Sequence, residues 1–251
     1  MQRPHLIVLV SASLDGRISL GPDRSQFEDM ADPRVGIDQE HWDQFQKKVY
    51  SSHNPQAEML GSNALINNDQ QLKELPPFQG DKKELYKDFL PEDVVKRPDH
   101  KGWLVIVDGR GRIRSGFKGT DDRPGWHALH LVSHSVSPDY LAFLKKEKIP
   151  YIITGEEQVD LETALTTMRE KLDVQTMLTT SAGRLGGALL RADLIDELYL
   201  ILRPELFGGF ETPSLFDSPE LEEDQYPTRL QLITTQIEKD GHILLHYRVD
   251  T

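Results

Sequence analysis

One segment of seven residues is well suited to bind an anion. It is Thr179-Thr180-Ser181-Ala182-Gly183-Arg184-Leu185, which lies between an apolar run and a segment with helical spacing. A turn that leads directly from a buried strand into a helix presents backbone N–H groups and the positive end of the helix dipole. Small side chains in such a turn let a phosphate group approach closely. Serine and glycine are also ordinary helix caps, so the spacing by itself predicts either an anion site or a simple cap.

A second candidate for phosphate binding is the segment Gly109-Arg110-Gly111-Arg112-Ile113-Arg114, which follows a predicted strand. It lacks the third glycine of a dinucleotide-binding loop, and no helical pattern comes after it. Its three arginines could hold a phosphate through paired hydrogen bonds, and the 2′-phosphate of a nucleotide cofactor would suit them. The alternative interpretation is a solvated basic turn.

Three histidines, His127, His130 and His134, invite comparison with a metal site, because imidazole is a common ligand of transition metals. Residues three and four apart on a strand do not all point to one face, and no carboxylate pattern accompanies these histidines. We therefore expect no metal site. The chain also contains neither the Gly-x-Ser-x-Gly motif of serine hydrolases nor a Walker phosphate loop.

The elements that would position these residues alternate between strands and helices along the chain. The predicted strands cover 5–12, 57–60, 103–107, 129–133, 150–154, 174–179, 198–202, 230–238 and 242–249, and the predicted helices cover 38–51, 139–148, 161–172 and 185–192. Residues 70–101 are polar and show little periodicity, which indicates an insertion. The alternation predicts an α/β fold with a mainly parallel sheet and a C-terminal antiparallel hairpin. Ligands of such sheets bind beyond the carboxyl ends of the strands.

Length, composition and charge favour a globular enzyme-sized domain over a membrane protein or a nucleic-acid-binding protein. With 251 residues, 37% of them hydrophobic, the chain can form one complete α/β domain. No apolar run approaches the roughly 18 residues of a membrane-spanning helix. A formal charge of −12 disfavours binding to nucleic acid, and the absence of cysteine excludes disulfides and thiolate chemistry. We expect a cytoplasmic protein that has no membrane or nucleic acid partner.

Several motifs, taken in chain order, resemble those of the riboflavin-biosynthesis reductases, which belong to the dihydrofolate-reductase-like superfamily. The matching segments are Ser13-Leu14-Asp15-Gly16-Arg17-Ile18, Ser25-Gln26-Phe27, Leu60-Gly61-Ser62-Asn63-Ala64, Val107-Asp108-Gly109-Arg110-Gly111-Arg112, and 188–198 followed by 203–209. The resemblance covers nearly the whole chain. It implies a three-layer α/β fold, a single reductase domain over residues 1–251 and a homodimer.

The resemblance also implies that the protein binds NADPH and delivers hydride to a small phosphoribosylamino-pyrimidine, whose ribosyl group opens to a ribityl chain. The residues implied to bind the cofactor are Ser11, Gly16, Ser25, Phe27, Ala64, Arg110, Ser181, Ala182, Gly183, Arg184 and Leu185. Asp69 is the implied catalytic carboxylate. His53 and Asn68 are the implied substrate contacts.

The chain departs from the family pattern at five places, of which the first is Phe27 in place of a tryptophan. Thr180-Ser181-Ala182 stands where the family has Glu-Gly-Gly, Asn68 replaces the first aspartate of a pair, and Ala64 replaces a threonine. No arginine matches the basic residue that contacts the substrate phosphate, for which His53 is the nearest candidate. Two alternatives therefore stay open: an NADPH-dependent reductase of another small heterocycle, and a non-catalytic relative that binds a nucleotide.

Overall fold

The structure, a computed structural model, describes residues 2–22, 24, 28–29, 32, 34–35, 39–66, 71–238 and 240–250, with the backbone alone at 39 and 41. The strands are β1 (His5–Ser13), β2 (Ala57–Gly61), β3 (Gly102–Val107), β4 (Trp126–Val132), β5 (Tyr151–Ile153), β6 (Thr176–Thr179), β7 (Glu197–Arg203), β8 (Arg229–Ile237) and β9 (Ile243–Asp250). The helices are α1 (Gln39–His53), α2 (Glu92–Val95), α3 (Pro138–Lys146), α4 (Leu161–Leu172) and α5 (Gly183–Arg191).

The strand order is β5-β4-β3-β2-β6-β1-β7-β9-β8. β1 pairs in parallel with β7, and β2, β3, β4 and β5 pair in parallel with one another in turn. β9 is antiparallel to both β7 and β8. These pairings confirm the prediction of a mainly parallel sheet that ends in an antiparallel hairpin.

The predicted strands and helices are present, with small shifts at their ends. β4 begins at Trp126 rather than at Leu129, because His127 and Ala128 continue the parallel pairing with β3. α4 begins where its capping residue predicts, since the side chain of Asp160 accepts a hydrogen bond from the N–H of Thr163 at 3.0 Å.

The described chain falls into two compact units. The terminal unit comprises His5–Asn54 and Leu178–Thr251, and the central unit comprises Met1–Pro4 and Pro55–Met177. The single domain predicted from the sequence stays a prediction. In the terminal unit, α1 buries apolar residues at helical spacing against β1 and β7. This core contains Ile7, Leu9, Trp42, Phe45, Val49, Tyr199 and Ile201.

The core of the central unit includes part of the segment interpreted as a polar insertion. Leu85 is buried in the same apolar cluster as Tyr140 of α3 and Tyr151 of β5. The backbones of Phe89 and Tyr151 exchange two hydrogen bonds, of 2.9 and 3.0 Å. Although the segment is mostly polar and exposed, its few apolar side chains therefore help to close the core around β5.

Candidate functional site

In the terminal unit, the turn predicted to bind an anion leads from β6 into α5. Ala182 is the residue that caps α5; its backbone is extended and it provides no side-chain hydrogen bond to the helix. The N–H of Ser181 donates to the Oγ1 of Thr179 at 3.1 Å instead. A side-chain cap, which was the alternative interpretation, is therefore not formed at Ala182, and the amino end of the helix keeps its positive character.

The glycines of α5 serve packing within the protein. The N–H of Gly183, whose φ is +58°, donates to the carbonyl of Leu215 at 3.0 Å. A Cβ at Gly187 would lie 2.1 Å from the carbonyl oxygen of Asp217. The start of α5 is therefore held against 215–217, while Arg184 is exposed and Leu185 is half-buried.

The loop after β1 carries the motif Ser13-Leu14-Asp15-Gly16, whose aspartate anchors a distant segment. The carboxylate of Asp15 accepts hydrogen bonds from the Ser13 hydroxyl at 2.5 Å, the Gly208 N–H at 2.7 Å and the Phe207 N–H at 3.1 Å. These bonds, with that of Ser13 the strongest, lower the pKa of Asp15 to about 2. Two motifs of the resemblance, around 13–16 and 203–209, are thus joined by one ionised side chain.

Two residues predicted to bind the cofactor lie in β1 and in the loop that follows it. Gly16 has a φ of +76°, which favours glycine, and a Cβ added there would meet nothing within 4 Å. Ser11 lies on β1 opposite Ile201, and its Oγ is buried without a hydrogen-bond partner in the described part of the chain. A buried hydroxyl without a partner costs about 1–3 kcal/mol, so it marks a place where a ligand could donate or accept a hydrogen bond.

His53, predicted to contact the substrate, lies in a different part of the terminal unit. Its Nε2 is 2.8 Å from the Tyr199 hydroxyl and 3.6 Å from the Glu197 carboxylate. Ser11 pairs with Ile201, four residues beyond Glu197 in β7, which corresponds to about 13 Å along the strand. The described residues therefore do not bring His53 and Ser11 together.

The neighbours of His53 form a cluster around one carboxylate. Glu197 also contacts the Nε2 atoms of His5, at 2.8 Å, and His246, at 2.6 Å. Burial lowers the pKa of His53, while the nearby Glu197 charge acts in the opposite direction. Because the histidines are far apart in the sequence, no spacing rule could have revealed this cluster.

In the central unit, the three arginines of the segment 109–114 have different environments. Arg112 is buried and its guanidinium donates to the side chain of Asn63 and to the carbonyl of Ile66. Arg114 donates to the carbonyls of Gly111 and Lys73. Arg110 is exposed and makes no hydrogen bond or ion pair with the described residues. Of the three, Arg110 is therefore the arginine available to a ligand.

Ala64, another residue predicted to bind the cofactor, ends a short 3₁₀ turn, Ser62–Ala64, directly after β2. Arg112 connects this turn to the loop after β3 through its hydrogen bond to Asn63. Both loops follow the carboxyl ends of paired parallel strands, where ligands of α/β sheets bind. Within the central unit, Ala64 and Arg110 thus lie on neighbouring loops.

Four predicted site residues, Ser25, Phe27, Asn68 and Asp69, lie outside the described residues. The three histidines considered as metal ligands are separate. His127 and His130 lie in β4, whereas His134 follows it and contacts the carbonyl of Gly155. Within the described ranges, no three His, Asp or Glu side chains are placed to hold a metal ion together. Nor does any described helix have the length and apolar character needed to cross a membrane.

The burial of His130 leads us to expect that the stability of the protein depends on pH. Complete burial lowers its pKa to about 4, against the effect of the nearby Asp108 charge. The folded protein keeps a neutral imidazole, whereas the unfolded chain takes up a proton near pH 6.5. Because the unfolded chain binds this proton and the folded protein does not, the folded state loses stability as the pH falls from about 6.5 towards 4. We expect His130 to lower the free energy of unfolding by about 3 kcal/mol over this range.

Urea unfolding between about pH 7 and pH 4 tests this expectation. His130→Gln should flatten the dependence of unfolding free energy on pH. His134→Gln is the matched control, because His134 is exposed and should leave the slope unchanged. An equal slope in His130→Gln and in the unaltered protein would contradict the assignment.

Comparison with known proteins connects this geometry to a family. Residues 4–245 match the family described as the RibD C-terminal domain. The chain is also similar to the 2,5-diamino-6-ribosylamino-4(3H)-pyrimidinone 5′-phosphate reductase of Methanothermobacter thermautotrophicus. The two are 23% identical over 231 residues, which cover 92% of this chain and 91% of the relative.

Solved structures with the same fold include a pyrimidine reductase-like protein of Corynebacterium diphtheriae. It is 16% identical with a TM-score of 0.65, and the match covers 99% of this chain and 92% of that one. A diaminohydroxyphosphoribosylaminopyrimidine deaminase/5-amino-6-(5-phosphoribosylamino)uracil reductase of Thermotoga maritima is also 16% identical, with a TM-score of 0.58. There the match covers 99% of this chain and 57% of the longer protein. These likenesses confirm the fold class.

Proposed function

The chain belongs to the RibD C-terminal domain family, and from this premise we propose that it is an NADPH-dependent reductase of a ribosylaminopyrimidine 5′-phosphate in riboflavin biosynthesis. Membership of this reductase family makes the chain an oxidoreductase. The observation that carries the proposed substrate is the relative matched over 92% of this chain, which is named as a reductase of such a compound.

Residues of each unit, taken separately, suit particular groups of a nicotinamide dinucleotide. The amino end of α5 lacks a side-chain cap at Ala182, which suits a pyrophosphate group. The buried Ser11 Oγ has no partner in the described part of the chain, and the space beside Gly16 is open. Arg110 is exposed and suits the 2′-phosphate that distinguishes NADPH from NADH. We assign the cofactor to these residues, together with Ser25, Phe27, Ala64, Ser181, Gly183, Arg184 and Leu185.

In the proposed reaction these residues mainly bind and orient the cofactor and the substrate. When bound, the cofactor supplies the hydride that converts the ribosyl group into an open ribityl chain. Side chains contribute by holding the reacting groups in contact and by excluding water. Asp69 is the proposed catalytic carboxylate and Asn68 the proposed substrate contact, whereas His53, about 13 Å along β7 from the residue paired with Ser11, stays a prediction from the resemblance. Of these three, only His53 has a described position, in the Glu197 cluster.

The proposed assembly is a cytoplasmic homodimer. Strand β8 supports a dimer, because every residue from Arg229 to Ile237 is exposed and the strand pairs with β9 alone among the described strands. An edge of this length with exposed aliphatic side chains is a template for association.

Turnover of NADPH tests the proposed function. The purified chain is mixed with NADPH and, in parallel, with the diaminopyrimidinone or the aminouracil form of the ribosylamino 5′-phosphate substrate. We expect NADPH absorbance to fall with one of them and the ribityl product to appear by mass spectrometry. Absence of NADPH binding at sub-millimolar concentration would refute the proposal. Binding without turnover of either compound favours a non-catalytic relative or a reductase of another heterocycle.

A further inference from the structure

A buried network of polar side chains lies behind the turn that carries Arg110. Asp108, at the carboxyl end of β3, is completely buried. Its Oδ1 accepts a hydrogen bond from the N–H of Arg112 at 3.0 Å, and its Oδ2 accepts one from the N–H of Ile113 at 2.8 Å. The carbonyl of Asp108 accepts a third bond, from the N–H of Gly111 at 3.1 Å. Asp108 therefore holds the backbone of the turn through three hydrogen bonds.

Asp108 is in turn held by Tyr140 from α3. The hydroxyl of Tyr140 donates to the Oδ2 of Asp108 at 2.8 Å and lies 3.0 Å from the Nδ1 of His130. All three side chains are buried. Burial and the nearby Asp108 charge raise the pKa of Tyr140, and burial lowers that of His130, so both stay neutral near pH 7. A neutral tyrosine can then donate steadily to the carboxylate.

The ring of Tyr140 also packs on the turn itself. Gly111 has a φ of +62°, and a Cβ there would lie 2.9 Å from the Cδ1 of Tyr140. On the other side, the hydroxyl of Ser133 donates to the carbonyl of Gly109 at 2.9 Å. The backbone on both sides of Arg110 is thus fixed by contacts, while its side chain remains exposed. This is the arrangement of a rigid support for one outward-facing cation.

We propose that Tyr140 is a positioning residue that holds the Arg110 turn in place for the 2′-phosphate of NADPH, and so sets the preference for NADPH over NADH. This inference rests on the proposed function, because it takes Arg110 as the residue that binds the 2′-phosphate. Tyr140 acts on the turn through its hydrogen bond to Asp108 and through the contact of its ring with Gly111. Loss of its hydroxyl leaves Asp108 and His130 without their shared partner and loosens the turn.

The expected effect is selective for one cofactor. Tyr140→Phe should weaken NADPH binding by about 3- to 10-fold, the loss expected from one buried hydrogen bond that shapes the site. NADH binding should stay unchanged, because NADH has no group at the 2′ position for Arg110 to hold. Arg110→Ala should lower the ratio of NADPH to NADH affinity further. Adding Tyr140→Phe to Arg110→Ala should then leave this ratio unchanged, since the Arg110 side chain that Tyr140 is proposed to position is absent.

Fluorescence titration with NADPH and NADH measures these ratios for the unaltered chain, Tyr140→Phe, Arg110→Ala and the double variant. Thermal unfolding checks that each protein is folded. Tyr151→Phe is the matched control, because Tyr151 is equally buried in the same cluster but its hydroxyl donates to the carbonyl of Leu85. If Tyr140→Phe does not fold, Ser133→Ala removes the bond to Gly109 and should also lower the ratio.

Each outcome decides a different claim. An unchanged ratio in Tyr140→Phe, or an equal decrease in Tyr151→Phe, overturns the role of Tyr140 while leaving that of Arg110 intact. An unchanged ratio in Arg110→Ala removes Arg110 from the 2′-phosphate and overturns the inference with it. Failure of all proteins to bind NADPH refutes the proposed function itself.

Discussion

Replacement of Ala182 by aspartate is expected to weaken NADPH binding by about 30-fold while the chain remains folded. The new carboxylate would stand at the amino end of α5, where the pyrophosphate of the cofactor is proposed to bind. Two like charges about 5 Å apart at an effective dielectric constant of about 20 repel by about 3 kcal/mol, and salt screening reduces this to about 2 kcal/mol. About 2 kcal/mol corresponds to the stated loss of affinity.

The stability of the variant should change in the opposite direction. An acidic side chain at the amino end of a helix is favourable by about 0.3–1 kcal/mol, and aspartate is a good capping residue. Loss of binding together with equal or higher thermal stability therefore separates a charge effect at the site from general damage to the fold. Calorimetric titration with NADPH and a thermal unfolding scan provide the two measurements.

Two further variants distinguish charge from size and from position. Ala182→Asn has nearly the size of the aspartate variant without its charge, and should retain most of the affinity. Ala188→Asp adds the same charge to an exposed position of the same helix and should have little effect. If Ala182→Asp binds NADPH as tightly as the unaltered chain, the turn before α5 is not the phosphate site.

The double variant Leu232→Lys, Ile237→Lys is expected to convert a dimer into a monomer, which halves the mass in solution. Both side chains lie on β8, where Leu232 is 51% exposed and Ile237 is 75% exposed. Lysines on an edge strand oppose pairing with another strand, because the pairing would bury their charges or bring them together. Light scattering coupled to size-exclusion chromatography measures the mass.

The chemistry of β8 favours a second copy of this chain as its partner. Residues 230–237 contain no charged side chain, although the whole chain carries a formal charge of −12. An uncharged strip with exposed leucines and isoleucines suits an identical strip better than a basic partner. Leu206→Lys is the control, since Leu206 is 74% exposed outside this strand and should leave the mass unchanged. If the double variant is still a dimer, β8 is not the interface. If the unaltered chain is already a monomer, the proposed dimer itself is wrong.

Local signals in the sequence predicted most of the secondary structure. Periods of two and 3.6 residues, the Asp160 cap and the Asp-Gly hairpin turn depend on neighbours within a few positions, and the structure has each predicted element near its place. The short helix α2 was not predicted, because it lies in the polar segment 70–101, which shows little periodicity. The order of strands and helices also predicted the parallel sheet, because such alternation has few other solutions.

The family resemblance extended these predictions to the reductase class, which the match over residues 4–245 bears out. The implied site residues stay predictions, and four of them lie outside the described residues. The structure nevertheless separates the candidates by their surroundings. Arg110 is exposed while Arg112 is buried against Asn63, and His53 belongs to a cluster around Glu197 rather than to the loop of Ser11.

The sequence by itself determined the elements, their order and the family, because these follow from short-range periodicity and from motifs in a fixed order. Only the tertiary structure decided which charged groups are already satisfied by the protein. The hydrogen bonds of Asp15 to 207–208 and of Tyr140 to Asp108 join residues that are distant in the chain. Whether a charge is buried, paired or available depends on such contacts, and no local spacing encodes them.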